Sequence, residues 1–384
     1  MSTLQATNLK SAASVSNNIV LDASGNAAFA GNVTASGNVT STGMVVPSSS
    51  FLRNRIINGD MRIDQRNAGA SISNVGGGAS YAVDRFEFAS TSSSRFSLQQ
   101  NGGAVTPPAG FVNYYGATST SAYSVTSTDF FLLGQHIEGT NCSDLGWGTA
   151  NAQTVTLSFW VRSSLTGTFG GVFANSGFTR TYIFTYSISA ANTWERKTVT
   201  VPGDTTGTWL TTTGRGITVY FSLGAGSSVS GASGAWSGSA LYSATGATSV
   251  VGTNGATFYL TGVQLEVGTV ATPFERRQFG QELALCQRYF ERSDQLFQTA
   301  SNGGLSNSYP TGIYYQVTKR APATVTIYSG GSLLGTAGSA TWYPTGVVGA
   351  VNPETNNTTG YMFSRVGINT YTLALFSYTA SAEL

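Results

Sequence analysis

Between Tyr81 and Gly268 the sequence is a succession of short segments in which apolar and polar residues alternate, each closed by Gly, Asn or Ser. They read VDRFEFAS, RFSLQQ, FFLLGQHIEG, TVTLSFWVRSS, RTYIFTYSIS, WERKTVTVPG, GITVYFSLG and TFYLTGVQLEVG. A period of two marks a strand with one buried face, and so many short strands between turn residues predict a β-sandwich or jelly roll. In TVTLSFWVRSS the alternation aims Val155, Leu157, Phe159 and Val161 at a core. Thr156, Ser158, Trp160 and Arg162 then share the opposite face. Two hydroxyls, an indole and a guanidinium in one row make a hydrogen-bonding floor with a stacking ring, which is what a sugar needs. These four are candidate glycan contacts, joined by Tyr220; Trp209 and Trp236 are further aromatics, and Trp194 is assigned to the core.

Ahead of the sandwich, Gly25, Gly31, Gly37 and Gly43 recur at a spacing of six, with Asn after the first three. Each hexad carries one or two small apolar residues and cannot offset its own ordering entropy. Three identical chains wound together would bury Val33 and Val39 on a common axis, whereas a Gly/Ser/Thr linker would leave them in water. The expectation is a homotrimeric fibre stem within residues 1–50, interleaved from about Ala27 to Val45.

The texture changes at FLRNRIINGDMRIDQR, residues 51–66, where a domain begins; the sandwich is expected over 51–270. One junction helix is predicted over 271–294, from Pro273 to about Arg292. Thr272, Pro273 and Glu275 supply its start signals, and Phe279, Leu283, Cys286 and Phe290 form an apolar stripe for the trimer or the domain junction. Residues 295–384 return to strands, a smaller C-terminal β-domain. The fold class is mainly β.

Charged residues make up 9% of the 384, against about 25% in an average soluble protein. The surface must therefore be Ser, Thr, Asn and Gly, a composition suited to meeting sugars through neutral hydrogen bonds and ring faces. A net charge of +2 without a Lys/Arg run argues against nucleic acid, and no apolar stretch approaches the ~20 residues of a spanning helix. The N-terminus lacks the features of a secretory signal, so the chain is expected to be made in a host cytoplasm and released by assembly and lysis.

Cys142 and Cys286 read as free, buried thiols. His136 has no second His nearby and reads as a hydrogen-bonded structural residue rather than a metal ligand or part of a relay. A glycosidase would need two carboxylates roughly 5 to 9.5 Å apart. Asp60, Asp64 and Asp84 each stand beside an Arg, and Glu275, Glu282, Glu291 and Asp294 lie on or after the helix, so salt-bridge roles are the better reading. No enzymatic activity and no cofactor are expected; Asp84 and Arg85 could contribute to a structural calcium site, but an ion pair is the simpler reading.

NRIINGDMRIDQRNAGAS followed by YAVDRF, and TGVQLEVGTVATPFERRQFGQELALCQRYF, closely resemble segments that recur in tailed-phage tail fibre and tail tip proteins. TVTLSFWVRSS, NTWERKTVTVPG and TFYLTGVQLEVG are also similar to a carbohydrate-binding jelly roll of the family-4/9 module type. The likeness spans roughly Phe51 to Thr326. It implies a virion structural protein with a sandwich grafted on a fibre stem and leaves the receptor undefined. Taken with the composition and the aromatic face, the expectation is a non-enzymatic tail protein docked to other tail proteins through its N-terminus and holding bacterial surface polysaccharide or lipopolysaccharide (LPS). A structural spacer without a receptor site and a capsule or LPS depolymerase are the alternatives.

Overall fold

The computed structural model describes residues 53–73, 75–76, 78–293, 299–300, 309–329, 353–356, 360–365, 373–374 and 376–384, with backbone segments at 8–9, 19–21 and 27–29. The chain divides into units Met1–Ser49 and Ser50–Leu384. In the first, β1 (Asn8–Leu9), β2 (Ile19–Leu21) and β3 (Ala27–Phe29) pair antiparallel, Ile19 opposite Phe29. Val33 and Val39 lie outside the described residues.

The second unit is a two-sheet sandwich. Its strands are β4 (Ser80–Val83), β5 (Phe86–Ser90), β6 (Phe96–Gln100), β7 (Tyr115–Ser119), β8 (Phe130–Glu138), β9 (Val155–Ser163), β10 (Gly167–Ala174), β11 (Thr181–Ile188), β12 (Glu195–Val201) and β13 (Arg215–Ala225). There follow β14 (Ser230–Gly231), β15 (Trp236–Ser237), β16 (Ser243–Ala244) and β17 (Thr257–Val267). One sheet runs β15-β11-β10-β13-β8-β5-β4 and the other β12-β9-β17-β7-β6.

The alternation read from the sequence decides the core. Val155, Leu157, Phe159 and Val161 are all fully buried between the sheets. Phe159 meets Phe221 of the facing sheet at 4.8 Å and Tyr186 at 5.0 Å between ring centroids, both edge to face. A mainly β, jelly-roll-like sandwich with one α-helix among the described residues follows from these sheets.

The helix is shorter than expected. It spans Phe279–Gln287 (α1), with Gln278 at its N-cap, and the chain then enters β18 (Phe290–Ser293). Its supposed start signals are committed elsewhere. The Thr272 amide and hydroxyl donate to the Glu266 carboxylate at 2.9 and 2.6 Å, and the Glu275 carboxylate accepts the Asn54 amide at 2.8 Å. Residues 268–278 therefore run as a strap across the five-stranded sheet, because buried tertiary partners outweigh local helix propensity. The stripe fails in consequence. Phe279 is 57% exposed and Leu283 half-buried, Cys286 packs with Ile57, Ile63 and Tyr289, and Phe290 belongs to a strand.

Beyond it lie β19 (Thr299–Ala300), β20 (Tyr309–Tyr314), β21 (Thr324–Ser329), β22 (Pro353–Asn356), β23 (Gly360–Arg365), β24 (Leu373–Ala374) and β25 (Phe376–Ser381). A sheet β18-β25-β21 puts Phe290 opposite Ser381, so a boundary drawn at residue 294 separates strands of one sheet. Many of the described charged residues collect where this sheet, α1 and residues 53–66 meet. Arg288 and Lys319 each lie 2.6 Å from a carboxylate, of Glu138 and Glu291, and Arg277 lies 3.2 Å from that of Glu282. Arg85 pairs with Glu383, and Asp60 with Arg62 at 3.3 Å. Asp64 instead accepts the amides of Asn67 and Gly69 at 2.9 and 2.7 Å, and Asp294 lies outside the described residues. Cys142 and Cys286 are both free and buried.

Candidate functional site

The outer face of the five-stranded sheet carries the residues singled out on β9. Register places Trp160 between Arg196 of β12 and Thr261 of β17, and Arg162 opposite Tyr259. Trp194, two residues before Arg196, falls on the same face and is half-buried; it is not part of the inter-sheet core to which the sequence assigned it. The Trp194 indole N–H donates to Thr106 O at 2.8 Å and its ring meets Tyr114 at 5.5 Å. Tyr114 in turn packs on Tyr259 at 5.2 Å, and the Arg162 guanidinium lies 5.5 Å from the Tyr259 ring centroid. Arg162 Nε donates to Asn192 O at 2.9 Å, and Arg196 donates to Thr272 O at 2.9 Å. Each guanidinium thus spends one donor on the backbone, and the fork keeps others.

This face is partly roofed. The strap covers its lower half: Thr156 and Ser158 are buried, and the Thr156 hydroxyl donates to Gly268 O at 2.7 Å. These two form no open hydrogen-bonding floor. A second cover, residues 101–114, is tied down by the Thr261 hydroxyl on Asn113 O at 2.7 Å. Trp160 packs beneath it. The ladder between β9 and β17 is bulged at Gly262, whose φ of +61° favours glycine and whose missing β-carbon leaves room for Phe111 and the Trp160 ring. What stays half-open is the upper end, with Trp160, Arg162 and Trp194, and the exposed Arg196 beside them.

Tyr220 is elsewhere. It lies on β13 in the other sheet, 4% exposed, its hydroxyl 3.0 Å from both Glu87 Oε2 and His136 Nε2. His136 Nε2 is 2.6 Å from Glu87, and its Nδ1 is 2.9 Å from the Thr218 hydroxyl. Burial holds the imidazole below its usual range; burial alone would raise Glu87, but hydrogen bonds from His136 and Tyr220 take it lower. A neutral ring donating from Nε2 and accepting at Nδ1 satisfies all three partners. The Glu–His–Thr chain resembles a relay in connectivity, yet Thr218 is fully buried and presents no nucleophile.

Asp84 and Arg85 turn to different partners. Asp84 accepts Gln65 Nε2 at 2.6 Å and lies 3.5 Å from Arg66, while Arg85 takes Glu383 and donates to His136 O at 2.6 Å. Among the described residues no group of three or more His, Cys, Asp or Glu side chains is placed to hold a metal, and no helix is long and apolar enough to cross a membrane. Trp209 and Trp236 meet each other, and Trp147, at the β15 edge of the seven-stranded sheet. Trp147 sits in a GWG turn, where no alternation draws the eye to it.

No protein-family profile matches the sequence, and no curated protein does. Among solved structures the chain is similar to the enzymatically active domain of bacteriophage CBA120 tailspike protein 4, at 10% identity and a TM-score of 0.31; the match covers 56% of this chain and 22% of that one. It is also similar to a CBM4 structure, at 14% identity and a TM-score of 0.27, over 55% of this chain and 98% of the other. Discoidin II from Dictyostelium discoideum matches at 11% identity and a TM-score of 0.18, over 70% of this chain and 81% of that. At TM-scores this low the fold rests on the chain's own sheets.

Proposed function

We propose that the chain is a bacteriophage tail fibre or tip protein that attaches the virion to a bacterial surface polysaccharide or LPS, without enzymatic activity. The observation that carries this reading is the upper end of the five-stranded sheet. Two half-exposed indoles, Trp160 and Trp194, and two guanidiniums, Arg162 and Arg196, stand in adjoining register rows on one face. Rings take the C–H face of a pyranose and the forks take its hydroxyls. The resemblance of residues 54–71, 81–86 and 261–290 to tail segments gives the context. The Gly-Asn hexads argue for a homotrimer, which multiplies weak single-site affinity, with the N-terminus docked to other tail proteins.

A glycan array and a host-envelope binding assay with the full chain test this, alongside light scattering for the trimer. Trp194→Ala is expected to weaken binding about tenfold while leaving the assembly intact. Equal binding by this variant and by wild type refutes the site. The roof over Thr156 and Ser158 favours a second reading, a structural spacer without its own receptor site, which absence of any glycan binding would support. Release of reducing sugar from capsule would indicate a depolymerase instead.

A further inference from the structure

Trp147, Trp209 and Trp236 form a three-indole corner that the sheet-face site does not use. The ring centroids are 4.8, 5.3 and 5.5 Å apart, with every pair near perpendicular. Each indole N–H is already spent on a backbone carbonyl: Trp147 on Gln153 at 2.8 Å, Trp209 on Thr206 at 3.1 Å, Trp236 on Pro202 at 2.9 Å. The rings are fixed in orientation, and none has a donor left. What they offer a partner is ring surface.

Trp147 is 6% exposed and belongs to the core, but Trp209 and Trp236 are half-buried and stand on it from outside. Trp209 comes from the irregular segment 202–214, which is pinned with unusual care for a loop rich in Gly and Thr. Buried Asp204 accepts both arms of Arg180, at 2.7 and 2.8 Å, and the Thr206 hydroxyl at 3.0 Å. The Gly148 amide donates to Asp204 O at 2.7 Å, and Asn175 donates to Thr208 O at 3.0 Å. At Gly207, φ +78°, a β-carbon would lie 2.4 Å from Arg180 Cγ, so the loop can sit this close to the arginine only with glycine there. Fixing a polar loop in this way holds one indole in place at the mouth of a narrow cleft of about one water's size, floored by Cys142 and Ile217 and rimmed by Trp209, Leu210 and Thr211. A sugar ring would therefore lie across the rim, with Trp236 outside the cleft. Leu210 and Thr211 on its rim are exposed.

The charges beside the cleft are neutralised. Arg180 is held bidentate by Asp204, and Arg55 pairs with Asp144 at 2.5 Å and donates to Asn141 O at 3.1 Å. A ring surface with neutral hydroxyl neighbours and committed cations favours an uncharged ligand over a uronate or sialate.

We infer that this corner is a second carbohydrate site, separate from the sheet face, taking an uncharged pyranose. The inference rests on reading the chain as a glycan-binding protein. Its test is an array of neutral and of uronate- or sialate-bearing bacterial glycans probed with the full chain, followed by tryptophan-fluorescence titration of the neutral hits. Trp209→Ala is expected to lose about tenfold or more in affinity for a neutral hit while binding uronate- or sialate-bearing hits as wild type does. Thr211→Arg, a change at an exposed position, is expected to block the same hit with melting unaltered, so the test stands even if Trp209→Ala folds poorly. Retention of every neutral hit by Trp209→Ala and Thr211→Arg, or dependence on Trp209 for acidic glycans alone, overturns the second site. Loss of binding in Trp194→Ala with full retention in Trp209→Ala overturns it while upholding the sheet face; no glycan binding by wild type removes both.

Discussion

Lys319 and Glu291 meet with 2.6 Å between Nζ and Oε2, and neither side chain reaches solvent. Glu291 lies on β18, and Lys319 on the segment ahead of β21. The pair is completed by the Tyr378 hydroxyl at 2.5 Å and the Gln316 amide at 3.1 Å, both on the same carboxylate. Burial lowers the Lys319 ammonium from its usual range, and Glu291 holds it partly up. Here the strands of the β18-β25-β21 sheet are fastened to one another by charge, while Arg288 on Glu138 and Glu383 on Arg85 tie that sheet to the sandwich.

Removing one member leaves the other charged and dry, which typically costs about 3–5 kcal/mol. Lys319→Met is therefore expected to shift the chemical denaturation midpoint sharply downward. Lys319→Met with Glu291→Leu should recover only part of the loss: the unpaired charge is gone, but the Tyr378 hydroxyl and Gln316 amide lose the carboxylate they donate to. A single variant within about 1 kcal/mol of wild type would show that the carboxylate finds water or a proton instead.

The sandwich was legible because alternation is a local property: the residues of β9 that point inward were named from period alone, and all four are buried. The helix start was not. Thr272 and Glu275 have the right side chains for a cap, but their partners Glu266 and Asn54 come from other parts of the chain, and no local rule contains them. The candidate face was half legible for the same reason. Period put Trp160 and Arg162 outward correctly, whereas the strap over Thr156 and the cover bringing Phe111 to Trp160 are tertiary. Trp194 was misplaced because a tryptophan is most often core, although its parity with Arg196 already pointed it to the outer face.

That roofing changes what Trp160→Ala should do. With the ring packed beneath residues 101–114 at the Gly262 bulge, truncation opens a void below the cover, and a half-buried tryptophan should cost about 2 kcal/mol, part of the ~3–5 seen in full cores. Trp194→Ala should cost less, its ring being anchored at the rim. Thermal melts of the two variants side by side decide it; equal melting for Trp160→Ala and wild type would mean the indole is free to meet a ligand.

Asp84 gives the fold a pH dependence of unusual sign. Burial raises its carboxyl to about 7, although Arg66 and the Gln65 amide work against the rise, whereas in the unfolded chain it titrates near 3.8. Between those values the folded state holds a proton that the unfolded state has released. The stability contributed by this group therefore falls as pH rises from about 4 to about 7 and is level above, on the order of 1.4 kcal/mol per unit of displacement. Glu87, Glu138 and Asp204 are displaced downward and His136 is held neutral, so their contributions run the other way, losing stability as pH falls. The whole-protein curve mixes both, and only a difference isolates Asp84. Asp84→Asn keeps the shape and removes the charge: near pH 4 it should match wild type, where Asp84 is itself neutral, and by pH 7.5 it should be the more stable of the two. Urea denaturation of both proteins across that range makes the comparison, and a constant difference from pH 4 to 7.5 would show that Asp84 is already ionised in the folded protein, held so by Arg66.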